Sequence, residues 1–409
     1  MNRNQSIKNQ SEQNQLEQNQ TEQNTAAPLS EKQRRALEKK QRKVEKYYMA
    51  SQWQLMGRKL IHHKLAVISF VILAVLYIGA FLAQFLAPQG LEDYAGKYSN
   101  APPTQIHLVH EGEWVGPFVY PYKIERDIFE NKIYTEDTET PYKIKWFVHG
   151  TPYKMLGLFP GDLHLFGVDN SELPEGKEPV QVMLFGADQL GRDLFSRILL
   201  GSQVSLTVPL VGTAISFMLA ILIGGASGYY GGWVDTVIQR VIEVIMSFPT
   251  LPLWMALSAA IPAGISVTNV YILITIIMSL LSWPALARTV RGKFLSLKKE
   301  DFIMASRLAG VSNAQIITRH LVPGFMGYLI VSLTLGIPGM ILGETSMSFL
   351  GLGMRSPATS WGVLLQECQN INNIANCPWK LIPVVFVALA VIAFNFLGDG
   401  LRDAADPYK

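Results

Sequence analysis

The sequence lacks the short motifs that mark nucleotide hydrolysis and the common hydrolytic chemistries. No GxxxxGK[ST] phosphate-binding loop, no GxSxG and no HExxH occurs in its 409 residues. The missing phosphate loop excludes a P-loop ATPase, and no residue is assigned a catalytic role. The chain has two cysteines and seven histidines, and they show no metal-ligand spacing, so no metal site is predicted. We therefore expect a protein that is not an enzyme.

Charge is also scarce. Only 16% of the residues are charged and 49% are hydrophobic, which is typical of a membrane protein. The net charge of +3 hides a split, because residues 30–64 are strongly basic and residues 88–197 carry more acidic than basic side chains. No nucleic-acid recognition motif accompanies the basic segment, so nucleic acid is not an expected partner.

The first 50 residues are predicted to be a tail and a helix. Residues 1–27 are almost entirely polar, too poor in apolar side chains to offset the entropy of ordering, so we expect disorder. They lack the apolar region of a signal peptide. Residues 30–48 combine helix formers with dense Lys and Arg, which favours a basic cytoplasmic helix, either solvated or at the lipid surface.

Six apolar runs are long enough to cross a bilayer. They are residues 65–86, 204–227, 241–261, 269–287, 325–342 and 381–397. Basic residues at 58–64 precede the first run, and by the positive-inside rule they lie in the cytoplasm. This predicts an all-α polytopic membrane protein with both termini cytoplasmic.

Residues 88–185 are then extracytoplasmic. They are rich in Tyr, Pro, Trp and Gly, and residues 142–148 alternate apolar and polar side chains, which indicates a small mixed or β structure. The chain thus divides into residues 1–50, a first-span segment at 51–87, the insert at 88–185, and a core domain at 186–409.

A polar stretch at residues 299–324 lies between the fourth and fifth runs. Phe302, Ala305, Ser306 and Ala309 recur at helical spacing and place one aromatic and three small side chains on one face. Gly310 is predicted to stop this helix in a left-handed conformation. Ser312 and Gln315 form a capping-box pattern that starts a second helix, which Pro323 is expected to end. The pair either docks on another protein or lies on the membrane surface.

Resemblance to a known family favours docking. Met304-Ala305-Ser306, three residues, Gly310 and then Pro323 resemble the EAA loop of ABC-transporter permeases, with Met304 in place of glutamate and Ser306 in place of alanine. In that family the loop is a coupling helix that docks into a cytoplasmic ATPase. A narrower resemblance, to the C-type permease subunit of oligopeptide and dipeptide importers, includes further residues. The predicted ATPase-coupling residues are Met304, Ala305, Ser306, Arg307, Gly310, Arg319, His320 and Pro323.

Two other segments resemble the same subfamily. Residues 185–197 hold Asp188, Arg192, Asp193 and Arg197, which either form a helix cap with ion pairs or contact substrate. Residues 344–353 begin with Glu344, which either hydrogen-bonds backbone around an outer gate or binds substrate.

The two cysteines follow this segment. Cys368 and Cys377 lie in the next extracytoplasmic loop, where an oxidising exterior permits a disulfide, and the sequence leaves open whether they pair.

The resemblance implies the six-helix fold of a type I ABC importer permease in the cell membrane, or the inner membrane of a cell with two membranes. It implies a cargo of peptides, with nickel or oligosaccharides as alternatives, and partners of four kinds: a B-type permease that completes a heterodimer, two cytoplasmic ATPases, an extracytoplasmic solute-binding protein and the peptide. ATP and Mg would bind the ATPases, and no cofactor would bind this chain. The insert either touches the binding protein or shields the outer rim. Two other classes of membrane protein are alternatives. An ion-gradient transporter would need buried carboxylates along its spans. A receptor-like protein with an outer binding domain would have no ATPase partner.

Overall fold

The structure is a computed structural model that describes residues 52–126, 128, 132–155, 157, 159–168, 179–262, 264–354 and 358–406. The predicted tail and basic helix at residues 1–50 lie outside the described residues. The chain divides between Lys59 and Leu60 into two units, and every side-chain contact discussed below lies in the second, Leu60–Lys409.

The described part of the chain is mostly helical. Its α-helices are α1 (Gln52–His62), α2 (Lys64–Phe81), α3 (Ala83–Leu86), α4 (Leu194–Tyr230), α5 (Gly232–Met246), α6 (Thr250–Ala259), α7 (Val267–Leu297), α8 (Asp301–Leu308), α9 (Asn313–Ile316), α10 (Val322–Gly324), α11 (Met326–Phe349), α12 (Trp361–Gln366), α13 (Ile371–Asn376) and α14 (Ile382–Ala405). Single 3-10 turns lie at Gly96–Tyr98, Glu367–Gln369 and Pro378–Leu381.

Among the described residues, five helical segments are long and apolar enough to cross a membrane: α2, α4, α7, α11 and the segment Pro378–Ala405 that contains α14. The run predicted at residues 241–261 differs from a straight span, because α5 and α6 meet at an angle of 82°. Pro249 stands at the bend as the N-cap of α6, and proline both disfavours helix in the residue before it and lacks an N–H. If the bent pair of α5 and α6 is counted as one span, the described residues contain the six spans that the sequence predicts.

Helices α4 and α7 pack at close range through small residues. A Cβ added to Gly224 would lie 2.4 Å from the carbonyl oxygen of Ala287, and one added to Gly228 would lie 2.7 Å from that of Arg291. Only glycine fits at such distances. In lipid, where apolar burial gives helices little drive to associate, this close contact is a main source of packing energy.

The insert between the first two spans is a β structure, as the alternating pattern predicts. Its strands are β1 (His107–His110), β2 (Glu113–Val119), β3 (Tyr122–Arg126), β4 (Lys132–Glu136), β5 (Tyr142–Met155) and β6 (Phe159–Val168). Strands β1, β2, β5 and β6 form one antiparallel sheet in the order β1-β2-β5-β6, and β3 pairs with β4 in a separate hairpin.

The insert and the polar stretch at residues 299–324 lie at opposite ends of the helix bundle. At the start of α4, Ser196 Oγ accepts a hydrogen bond from the backbone N–H of Gln89 at 3.1 Å. At the other end of the same helix, Tyr229 OH donates to Asn313 Oδ1 at 2.5 Å. We call these the insert end and the loop end.

Candidate functional site

The helix pair at the loop end is anchored to the bundle by three apolar side chains. Ile303 of α8, Ile316 of α9 and Leu321 are all fully buried. They pack in one cluster with Phe294 of α7 and Leu329 of α11. Burying each side chain stabilises the attachment by roughly 1.5–3 kcal/mol. The polar stretch is therefore a fixed part of the bundle and moves with the spans on either side of it.

The opposite face of α8 presents apolar side chains to solvent. Phe302 is 47% exposed, Met304 is 52% exposed and Leu308 is 90% exposed, and the small residues Ala305 and Ala309 are also exposed. Met304 and Leu308 lie one helical turn apart, and all three large apolar side chains are exposed on a helix that is anchored through Ile303. We call Phe302, Met304, Ala305, Leu308 and Ala309 the outer face of α8.

Gly310 ends α8 as the sequence predicts. Its φ is +76°, in the left-handed region, and two backbone bonds close the turn: Val311 N–H to Ser306 O at 3.1 Å and Gly310 N–H to Arg307 O at 3.0 Å. This pair of bonds is a Schellman motif. The turn reverses the chain while satisfying carbonyls that the helix end leaves without partners.

The second helix begins as predicted and ends differently. Ser312 and Gln315 form the full capping box. The helix then continues through a π turn at Ile317–Leu321 into α10. Pro323 was expected to end it, and this is wrong: the break comes at Phe325, whose φ is −134°. Pro323 thus lies inside the continuous helix, just after a π turn in which the regular α-helical hydrogen bonding is already interrupted.

Several predicted coupling residues contact their own chain. The rings of Phe302 and His320 meet edge to face at 6.4 Å, and the guanidinium of Arg307 lies 5.3 Å from the ring centre of Tyr229. Arg319 is exposed. His320 therefore ties the two helices to each other, and Arg307 ties α8 to α4.

Tyr229, which the sequence reasoning missed, joins three elements at the loop end. It is 5% exposed at the end of α4, and its hydroxyl donates to Asn313 in α9. Its carbonyl accepts from Lys298 Nζ at 2.5 Å, and the same ammonium lies 5.6 Å from its ring centre. Its neighbour Tyr230 is 60% exposed. The two tyrosines differ in burial because successive residues of a helix point to different sides of it.

A second contact links α4, α5 and α7 beside Tyr229. Asp235 accepts two parallel hydrogen bonds from Arg291, both at 2.5 Å, and a third from Ser227 Oγ. A bidentate pair of this kind fixes the relative orientation of its two side chains. The ends of three helices at the loop end are thus held in one arrangement.

At the insert end, the charges of residues 188–197 form a buried network. Asp188 accepts from Arg192 Nε at 2.6 Å and also pairs with Arg197. Asp193 caps α4 by accepting from the N–H groups of Phe195 and Ser196 at 3.3 and 2.8 Å. Burial raises the pKa of Asp193 to about 6, in spite of these bonds. This geometry fits the helix-cap and ion-pair interpretation.

Glu344 lies fully buried in α11. Its carboxylate accepts from Ser348 Oγ at 2.7 Å and from Ser205 Oγ at 3.4 Å. Those hydroxyls in turn accept from the backbone N–H groups of Met354 and Trp361. Glu344 therefore fixes the backbone after α11 through serine hydroxyls.

The two cysteines are present as unpaired, buried thiols. Cys368 Sγ lies 3.4 Å from the carbonyl oxygen of Lys380. The sequence left open whether Cys368 and Cys377 pair, and in the structure they do not.

A cavity of about 610 Å³ opens among α4, α5, α6, α7 and α11. Its lining combines apolar side chains with the hydroxyls of Thr213, Ser216, Ser282 and Ser332, and no Asp, Glu, Lys, Arg or His belongs to it among the described residues. Such a surface offers weak hydrogen bonds and no fixed charge to a passing solute.

Residues 191–408 match the family model of binding-protein-dependent transport system inner membrane components, and residues 51–103 match the N-terminal TM domain of oligopeptide transport permease C. A dipeptide transport system permease protein of Bacillus subtilis is 37% identical over 54% of this chain and 68% of its own. An oligopeptide transport system permease protein of Haemophilus influenzae is 41% identical over 54% of this chain and 70% of its own. A solved structure of the MetNI methionine ABC transporter, inward facing, is 17% identical over 51% of this chain and 96% of its own, with a TM-score of 0.41.

Proposed function

The chain belongs to the binding-protein-dependent transport system inner membrane components, and from this we propose that it is the permease subunit of an ATP-driven importer of peptides. The names of the relatives support peptides as the cargo. The matched family also confirms the predicted fold class of a polytopic importer permease with a β insert.

The outer face of α8 is the observation that carries the proposal. A helix anchored by fully buried Ile303, with a 90% exposed Leu308 on its other side, is built to dock on a partner and to pass force to the spans. We assign that partner as a cytoplasmic ATPase, one of two in the complex. ATP and Mg would bind the ATPases and not this chain.

Closure of the ATPases would move α8 and α9. Because α8 follows α7, and the π turn and α10 lead from α9 into α11, a displacement of the pair acts on two spans that line the 610 Å³ cavity. A related B-type permease would complete this cavity as the other half of a heterodimer. An extracytoplasmic binding protein would deliver peptide to the insert end, and the cavity would open alternately to each side.

The uncharged lining suits a peptide whose side chains vary. A fixed carboxylate or ammonium in the passage would bind some sequences tightly and repel others. Hydroxyls of Thr213, Ser216 and Ser332 give exchangeable hydrogen bonds to any peptide backbone.

Leu308→Glu tests the docking surface. The substitution adds charge to the outer face of α8 without touching the buried anchors, so the permease should insert and fold normally. Docking of the ATPase subunits should weaken by about tenfold or more, because an apolar contact is lost and a charge is desolvated. The measurement is co-purification of the ATPases with the permease, together with ATP-dependent peptide uptake in proteoliposomes.

Ile371→Glu is the matched control, because Ile371 is 77% exposed at the insert end. It should leave ATPase docking unchanged. Full docking and uptake in Leu308→Glu would show that α8 is not the ATPase contact and would overturn the proposal.

A further inference from the structure

The β5–β6 hairpin of the insert is fixed to the end of the first span. His164 Nδ1 in β6 lies 2.5 Å from the carbonyl oxygen of Ala87, the residue that follows α3. The ring of Phe147 in β5 lies against that of Phe85 in α3, with 6.3 Å between the ring centres. Phe147 is therefore placed where the chain leaves the apolar run of the span.

The side of the first span that leads to Phe85 is apolar and exposed. Its exposed side chains recur at helical spacing in α2, at Val71, Val75 and Ile78. Leu73 and Ala80, on the opposite side, are buried in one cluster with side chains of α14. Phe85 follows Ile78 by about two helical turns, and only Leu82 separates α2 from α3, so Phe85 continues the exposed side. A span that is buried on one side and apolar on the other faces lipid with the second side.

Two neighbouring aromatic side chains of β5 are exposed at this point. Trp146 is 64% exposed and Phe147 is 60% exposed. Successive side chains of a regular strand point to opposite faces, and β5 departs from this rule at Phe147, whose φ is +58°. A bulky residue in this left-handed conformation is strained, so a large exposed ring there indicates a surface that covers it. We call Trp146 and Phe147 the hairpin aromatic pair.

A second row of rings ties the hairpin aromatic pair to α4. Trp146 meets Phe166 of β6 edge to face, with 6.4 Å between the ring centres. Phe166 in turn lies 6.0 Å from the ring of Phe195, in the first turn of α4. The pair is therefore attached to the ends of two spans, which fixes its height relative to the membrane.

Basic side chains accompany the pair. Lys143 and Lys145 precede it in β5, and both are exposed. At a membrane surface, aromatic rings lie at the level of the lipid headgroups, and lysine ammonium groups are attracted to the lipid phosphates. Aromatic rings and lysines at the end of a lipid-facing span match this layer in position and in chemistry.

We propose that the hairpin aromatic pair inserts into the interfacial layer of the bilayer and anchors the insert to the lipid surface. Lipid is favoured over a second protein because Phe147, through Phe85, continues a side of the span that already faces hydrocarbon. The inference goes beyond the proposed transport function, since it requires only that α2 spans the membrane. Of the two roles that the sequence leaves open for the insert, it favours a place at the outer rim.

Photo-crosslinking identifies what covers the pair. Phe147→p-benzoylphenylalanine and Trp146→p-benzoylphenylalanine each keep an aromatic ring, and on irradiation the ring reacts with the nearest C–H bond. The full chain is expressed in cells whose phospholipids carry radioactive phosphorus, and the irradiated membranes are separated by denaturing gel electrophoresis. Both variants should carry radiolabelled phospholipid, at about tenfold the level of an exposed aromatic position that lies in water.

Trp114→p-benzoylphenylalanine is the matched control. Trp114 is 73% exposed in the same sheet but lies opposite Val109 of the edge strand β1, so it should give only background label. Ile78→p-benzoylphenylalanine, on the exposed side of α2, should be labelled and shows that the reaction detects lipid. Label no higher than that of the Trp114 variant at both positions of the pair, or an adduct with a second protein in place of lipid, would overturn the inference.

Trp146 keeps the test valid if the Phe147 variant fails to fold, because its own φ is not positive. Lipid labelling needs neither ATPases nor cargo, so it is independent of the proposed function. Peptide uptake without lipid labelling refutes the anchor alone, and lipid labelling without peptide uptake refutes the import function alone.

Discussion

Tyr229 shows how one side chain at the end of a span holds the outer helices of the loop end in place. Its ring lies near two cations, those of Lys298 and Arg307, and its hydroxyl reaches Asn313. These contacts join α4, α7, α8 and α9. A displacement of α8 and α9 thus passes directly to α4, in addition to the two spans to which the pair is covalently joined.

Tyr229→Phe should reduce coupling without unfolding the protein. The ring and its two cation contacts stay, and only the hydrogen bond to Asn313 is lost, which costs about 1 kcal/mol. We expect roughly two- to fivefold less peptide taken up per ATP hydrolysed, measured in proteoliposomes. Tyr230→Phe, one residue on and 60% exposed, should match wild type. An equal amount of peptide taken up per ATP hydrolysed in the two variants would show that the Tyr229 hydroxyl has no role in coupling.

Asp193 gives a pH-dependent prediction. Its folded-state pKa of about 6 lies above the ordinary aspartate pKa of 3.8, because burial disfavours the carboxylate. A raised pKa means that this group favours folding most below 3.8, and that the contribution is lost as pH rises through about 6. Asparagine caps a helix comparably well and carries no charge.

Asp193→Asn should therefore gain stability relative to wild type between about pH 4 and about pH 7, by up to about 3 kcal/mol. Thermal unfolding of the detergent-solubilised protein at both pH values measures it. Glu125→Gln changes an exposed carboxylate of β3, so the difference in its stability from wild type should be the same at both pH values. A constant difference between Asp193→Asn and wild type across this range would contradict the assignment.

At the scale of elements, patterns local in sequence predicted most of the structure. The apolar runs gave the spans, the alternation at residues 142–148 gave β5, and the capping box and Gly310 gave the turn between α8 and α9. Each depends on neighbours within a few residues. Pro249 marks the place of the bend between α5 and α6 locally, whereas the 82° angle of that bend and the continuation of the helix past Pro323 depend on packing against other helices. The same holds for the contacts of Tyr229 and Gln89, because their hydrogen-bond partners lie 84 and 107 positions away along the chain.

Gly310→Val tests the α8–α9 turn as an element. A Cβ at Gly310 would meet nothing within 4 Å, so the cost is purely conformational, on the order of 1–2 kcal/mol for a β-branched residue at positive φ. The turn should loosen, ATPase docking should weaken several-fold, and the spans should remain assembled. Gly310→Asn, which tolerates this conformation better, should largely restore docking.

Gly292→Val is the control, because it is also in open space but lies within α7 at an ordinary φ. Gly398 would be unsuitable, since an added Cβ there would lie 2.5 Å from Leu335 Cδ2. Docking as strong in Gly310→Val as in Gly292→Val would mean that the turn conformation does not matter for coupling.

For the whole molecule, the orientation in the membrane decides whether the outer face of α8 meets ATPases or the outside. The loop end carries Arg288, Lys293 and Lys299, at the end of α7 and just beyond it. Together with the basic residues at 58–64, they predict a cytoplasmic loop end by the positive-inside rule. On this prediction the insert faces the outside.

Single cysteines at the two ends test this orientation in intact cells. In a background of Cys368→Ser and Cys377→Ser, Thr138→Cys in the insert should react with a membrane-impermeant maleimide added outside. Ala314→Cys in α9 should react only after permeabilisation. Both positions are exposed, so access to the reagent and not burial determines labelling. Labelling of Ala314→Cys from outside, with Thr138→Cys protected until permeabilisation, would mean that the orientation in the membrane is the reverse of the predicted one. The coupling role of α8 would then be untenable, because the outer face of α8 would lie in the compartment without ATPases.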